Sequence, residues 1–178
     1  MYKVACIVFA LFAVASAVPS TFDTEHVWKA GNLSYPFPGN AILAGFDPYG
    51  YNIYIGRVKY SNTILPARVV AETGVAYFNN QLTSSKATTY DLLVAERNLN
   101  YVWVRSFDGL YERYAVSVGT SVYNERVFMC RAKTDGGLLV GSLILSEKLC
   151  IIKHENLALR KFDKYEVLVG QSMNGTVF

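Results

Sequence analysis

The sequence predicts an all-β fold: a single pseudo-symmetric domain made of two tandem repeats of short antiparallel strands. Three observations predict it. Five blocks of the chain recur in the same order at an offset of 74 to 75 residues. The composition, with 13 Tyr, 13 Gly, 14% aromatic and only 17% charged residues, suits strands joined by turns. No segment after the N-terminus shows a convincing amphipathic helical period.

The first 17 residues are set apart. Lys3 precedes an uncharged apolar run from Val4 to Val14, and Ala15-Ser16-Ala17 has the small-x-small pattern of a cleavage site. Residues 1–17 read as a secretory signal peptide. The run is shorter than the roughly 20 residues a membrane-spanning helix needs. A secreted, extracellular protein without a membrane span is the expectation. Residues 18–27 form a lead-in, 28–98 repeat one and 99–178 a degenerate repeat two, packing together.

The repeat is visible block by block. Trp28 and Trp103 open the two copies. Ala41 to Asp47 falls on Ala115 to Ser121, and Ile53 to Tyr60 on Val127 to Thr134. Ile64 to Val70 falls on Leu138 to Ile144, and Thr89 to Val94 on Lys164 to Val169. Arg57 thereby aligns with Arg131. Repeats of this kind must be found first, because they decide the architecture.

Within repeat one, the turn Asp47-Pro48-Tyr49-Gly50 leads into a strand from Tyr51 to Tyr60. After the turn Ser61-Asn62-Thr63 come strands at Ile64 to Ala71, Val75 to Phe78 and Tyr90 to Ala95. Ala87 to Asn98 also admits a helical reading, but its match to the second copy favours a strand. Repeat two repeats the series with Glu125 to Lys133, the turn Asp135-Gly136-Gly137, then Leu138 to Ser146, Cys150 to Lys153 and Tyr165 to Gly170. Short strands punctuated by turns indicate a sandwich or barrel. A unit this small buries its apolar face poorly alone, so the copies are expected to share a core.

These blocks resemble the DM-nine repeat family. The resemblance rests on Trp28, Pro38-Gly39-Asn40-Ala41, Gly45-Phe46-Asp47-Pro48-Tyr49-Gly50, Tyr54-Ile55-Gly56-Arg57, Leu65-Pro66-Ala67-Arg68 and Tyr90-Asp91-Leu92-Leu93. Repeat two keeps Trp103, Arg131 and Tyr165-Glu166-Val167-Leu168. The resemblance implies a lectin-like, mannose-type glycan partner, with a role in innate recognition of microbes. It places the sugar contacts at Asp47 and Arg68, where the family pattern has Lys instead of Arg. The matching positions in repeat two are Ser121 and Ser142, so a second site would be lost or rebuilt.

The residue chemistry allows that reading. A carboxylate accepts hydrogen bonds from sugar hydroxyls and a guanidinium donates to them. Tyr49, Tyr51 or Tyr54 would lie against a sugar face. Asp47 alternatively caps its own turn, and Arg68 is alternatively a solvated strand residue. Arg57 and Arg131 read first as structural cations, with a ligand role at the repeat interface kept open. Trp28, Trp103, Tyr90 and Tyr165 read as core.

Enzymatic chemistry finds no support. His26 and His154 lack metal-ligand spacing, no Gly-x-Ser-x-Gly elbow occurs, and no Gly-rich cofactor loop follows a strand. No catalytic residue, metal or cofactor is expected. A Cys150–His154 nucleophile is disfavoured. Loss of the leader takes the formal net charge from +3 to +2 by removing Lys3. That is too little to draw nucleic acid strongly.

Cys130 and Cys150 remain in the secreted part, as either a disulfide or two buried thiols. Asn32 and Asn174 fit N-glycosylation sequons. A homodimer is open. The alternative function is a secreted structural or protein-interaction module with a lost sugar site. A lipocalin-like carrier is disfavoured by the repeat.

Overall fold

The computed structural model describes residues 20–80 and 83–173. The leader peptide, the start of the lead-in and the Asn174 sequon lie outside the described residues.

Fourteen strands and no helix occur among the described residues, in one antiparallel sheet. The first half contains β1 (Trp28–Asn32), β2 (Leu43–Phe46), β3 (Asn52–Tyr60), β4 (Thr63–Val70), β5 (Val75–Asn80), β6 (Thr83–Ala87) and β7 (Thr89–Leu93). The second contains β8 (Leu99–Phe107), β9 (Ser117–Thr120), β10 (Arg126–Thr134), β11 (Gly137–Ile144), β12 (Leu149–Ile152), β13 (Arg160–Phe162) and β14 (Lys164–Ser172). The strand from Tyr90 is β7, so the helical reading of that stretch is excluded. Only a short link separates the halves, since β7 ends at Leu93 and β8 begins at Leu99.

The pairings of the first half recur in the second. β3 pairs with β4 along one edge, while β2 and β7 share the other. β10 likewise pairs with β11, and shares its other edge between β9 and β14. β1 completes the first set against β7, and β8 the second against β14. Outer hairpins follow as β4–β5–β6 and β11–β12–β13.

The two halves join where Phe46 of β2 pairs with Leu138 of β11. This joint requires a glycine. A Cβ at Gly45 would lie 2.2 Å from the Leu138 carbonyl oxygen, so any larger residue would push the strands apart. On the other side, the lead-in runs along β9: Asp23 N–H donates to Val118 O, and Thr120 N–H to Thr21 O.

The main core crosses the halves. Ile53, Ile55, Ile64 and Leu93 pack with Val118, Phe128, Met129, Leu139 and Leu143. A smaller cluster around Val58, Val69, Phe78 and Leu92 belongs to the first half alone. Burial of this apolar area is the dominant favourable contribution to the fold. The β-branched residues concentrated in β3 and β4 suit pleated strands covered by neighbours.

Candidate functional site

Asp47 follows β2 and opens the turn into β3. Its Oδ1 accepts from Tyr49 N–H at 2.9 Å and from Tyr51 N–H at 2.9 Å. The backbone closes the turn with Gly50 N–H donating to Asp47 O at 3.0 Å. Gly50 sits at φ +89°, a left-handed position that glycine adopts without strain. The turn-capping role is therefore real. Both bonds use one carboxylate oxygen, so the turn does not consume Oδ2.

Arg68 on β4 corrects one expectation. It is not a solvated strand residue but only 2% exposed. Its Nη1 donates to Lys153 O at 3.1 Å and its Nη2 to Ser84 Oγ at 3.4 Å. The guanidinium lies 5.6 Å from the Tyr77 ring centroid. Burial pushes its pKa down to about 10, opposed by Glu155, Tyr77 and Asp47, so it stays charged at neutral pH.

Asp47 and Arg68 line one pocket of about 120 Å³, together with Tyr49, Tyr51, Tyr77, His154 and Glu155. No ion pair closes Asp47 onto Arg68 among the described residues. Tyr49 stands at the rim, 73% exposed. His154 and Glu155 bring one wall from the second half, just past β12. His154 is 6% exposed, and neither ring nitrogen has a hydrogen-bond partner. Burial, then the neighbouring Arg68, lowers its pKa, so the imidazole is neutral. A neutral imidazole offers one donor and one acceptor. An unsatisfied buried polar group calls for an explanation, and a ligand is one.

The second half has a matching turn with different chemistry. Ser121 Oγ accepts from Tyr123 N–H at 3.2 Å, Asn124 N–H donates to Ser121 O at 3.0 Å, and Asn124 takes the left-handed φ of +58°. Ser121 and Ser142 line a larger pocket of about 330 Å³. Its wall includes Asn79 from the first half, whose buried Oδ1 has no partner. Each pocket thus takes a polar residue from the opposite half. No local sequence signal could have linked His154 to Asp47 and Arg68, since long-range pairing alone brings them together.

Arg57 and Arg131 are placed outside the Asp47 pocket. Arg57 Nε donates to Asp91 Oδ2 at 3.0 Å, and its Nη1 to Asp23 O and Val118 O at 2.6 and 3.1 Å. Arg131 Nε donates to Glu166 Oε2 at 2.7 Å and its Nη1 to Ala44 O at 2.7 Å. Each therefore bonds a carbonyl of the other half. Trp28 and Trp103 are only partly buried and lie against these guanidinium groups, at 4.3 and 4.1 Å from ring centroid to Cζ. Their role as cation-stacking partners went unseen in the sequence.

Cys130 and Cys150 form a disulfide with Cα atoms 6.0 Å apart, joining β10 to β12. Neither thiol is free for nucleophilic chemistry. Asn32 Oδ1 accepts from Ser34 and Tyr35 N–H and so caps the turn that carries its sequon.

The structure resembles that of the nematode sperm cell motility protein MFP2B, with a TM-score of 0.65 and 13% identity. The match covers 92% of this chain and 51% of that one, so this chain spans about half of its neighbour's length. At that identity the likeness is one of fold. No curated protein gives a significant match. The DM9 repeat model matches residues 47–161, well over half of the chain. The chain belongs to the DM9 repeat family.

Proposed function

We propose that this protein is a secreted, non-enzymatic carbohydrate-binding protein of mannose-type specificity, with one working site at Asp47, Arg68 and His154, acting in recognition of microbial surfaces. It carries two copies of one ancestral unit, of which the first keeps the charged pair. The observation that carries this reading is the convergence of a carboxylate, a guanidinium and an unpartnered neutral imidazole in one pocket rimmed by exposed tyrosines. Sugar hydroxyls both donate and accept, and this set supplies both partners. The pocket is smaller than the several hundred Å³ of a typical small-molecule site. It accordingly takes one edge of a ring, with the remainder outside against Tyr49 and Tyr51.

Titration of the mature protein with mannose by calorimetry tests the reading. We expect saturable binding that Asp47→Ala weakens by roughly tenfold or more, about 1.4 kcal/mol. Ser121→Ala leaves it unchanged. No heat at millimolar sugar, or an Asp47→Ala variant that binds like the wild type, rejects the sugar site. One observation favours the alternative, a structural or protein-interaction module: the Arg68 guanidinium already bonds Lys153 O across the halves. In that case Arg68→Ala destabilises the fold and no sugar is retained.

A further inference from the structure

The groove over Arg131 differs from its counterpart over Arg57 in one instructive way. Both arginines have a tryptophan on one face, a carboxylate on Nε and a carbonyl of the opposite half on Nη1. At Arg57 the lead-in supplies two further partners. The Phe22 ring covers the groove-side face at 4.5 Å, and Asp23 O takes a second bond from Nη1. At Arg131 neither is present among the described residues. Arg131 lines the groove and Trp103 does not, and no second ring stacks on the guanidinium among the described residues. The space above it is about 650 Å³, against about 350 Å³ at Arg57.

Charge separates the two grooves further. Opposite the acid in β14 stands Arg105, where the first half has Ala30 opposite Asp91. Opposite Phe107 stands Lys164, where the first half has Thr89 opposite Asn32. The Arg131 groove thus carries Arg105, Arg131, Lys133 and Lys164 against the single acid Glu166, which Arg131 already holds. Phe107 and Phe162 add apolar wall.

We propose that this groove binds an acidic peptide segment bearing an aromatic side chain. The ring stacks on the open face of Arg131, where a planar cation attracts an aromatic face. The peptide's carboxylates lie against Arg105, Lys133 and Lys164, whose shared sign raises the local concentration of anions and gives specificity. The lead-in of this same chain uses related contacts: Phe22 stacks on Arg57, Asp23 O accepts from its Nη1, and the Asp23 and Glu25 carboxylates pair with Arg126. The site is separate from the proposed sugar pocket and does not depend on it.

The probe is a fluorescently labelled peptide with the sequence of Thr21 to His26, titrated into the mature protein and followed by anisotropy. Saturable binding is expected. It weakens about tenfold or more, roughly 1.4 kcal/mol, when the peptide's Phe22 is replaced by alanine. It weakens similarly in the Arg105→Glu/Lys164→Glu protein, whose altered side chains are both exposed and outside the core. Three outcomes overturn the proposal. These are no saturation at millimolar peptide, equal binding of the peptide lacking the ring, or binding indifferent to the double charge reversal.

Discussion

In the first half, Arg57 is enclosed between Trp28 and Phe22, and its side chain is 7% exposed. In the second, Arg131 has Trp103 alone and is 16% exposed. The first half keeps the charged pair Asp47 and Arg68, while the second holds Ser121 and Ser142 in a wider pocket whose charged lining residues are both acids, Glu125 and Glu147. The second half has a disulfide where the first has Gly56 and Ala76 at the matching places. The lesson is that matched frameworks can secure themselves by different means. One half uses an inserted aromatic and a buried cation, the other a covalent link.

Removing the buried cation should produce the largest effect. Arg57→Ala leaves Asp91 and two carbonyls without their donor, and about 3–5 kcal/mol of stability should go. Arg131→Ala should cost less, about 1–3 kcal/mol, because solvent already reaches its groove. Urea denaturation of the two variants measures the gap, and equal losses would break the comparison.

The disulfide comes next. Replacing both Cys130 and Cys150 by alanine should cost about 3 kcal/mol, the loop-closure value for a segment of this size. The loss should appear first as faster amide exchange in β10 to β12, with β3 to β5 less affected.

Acid should act more mildly. Burial holds the imidazoles of His26 and His154 below their ordinary value. The unfolded chain therefore takes up more protons than the folded one as pH falls through about 6.5. Their stabilising contribution is present above that pH and lost as pH falls below it. His154→Gln should flatten the dependence of the urea midpoint on pH.

The smallest effect is at the rims of the two pockets. Tyr49→Ala should weaken mannose a few-fold, on the order of 0.5–1 kcal/mol as expected for an exposed aromatic contact. Tyr123→Ala, at the matching turn, should leave sugar binding unchanged in the same calorimetric titration.

Eight of the strands were legible along the chain because side-chain alternation and turn residues are local, but their order in the sheet was not. Tyr51 to Tyr60 and Glu125 to Lys133 announced β3 and β10 by their alternation, and Asp47-Pro48-Tyr49-Gly50 announced its turn. β1, β2, β6, β8, β9 and β13 were not read as strands. Thr83–Ala87 and Arg160–Phe162 are short and polar, and only pairing with β5 and β12 makes them strands. Asp47 and Arg68 were found through the repeat motif. His154 was not, because it lies 86 residues beyond Arg68 and reaches the pocket only when the halves join. The stacking of Arg57 and Arg131 on tryptophans was hidden for the same reason. A Trp in a strand reads as core until its cross-strand neighbour is known.

Arg57 donates to Val118 O and Arg131 to Ala44 O, so each half fastens onto the main chain of the other. Such reciprocal fastening makes either half a poor candidate for life alone. A truncated first half would lose the carbonyl that anchors Arg57, and with it the imidazole wall of its own pocket. The second half thus acts as scaffolding for the pocket of the first.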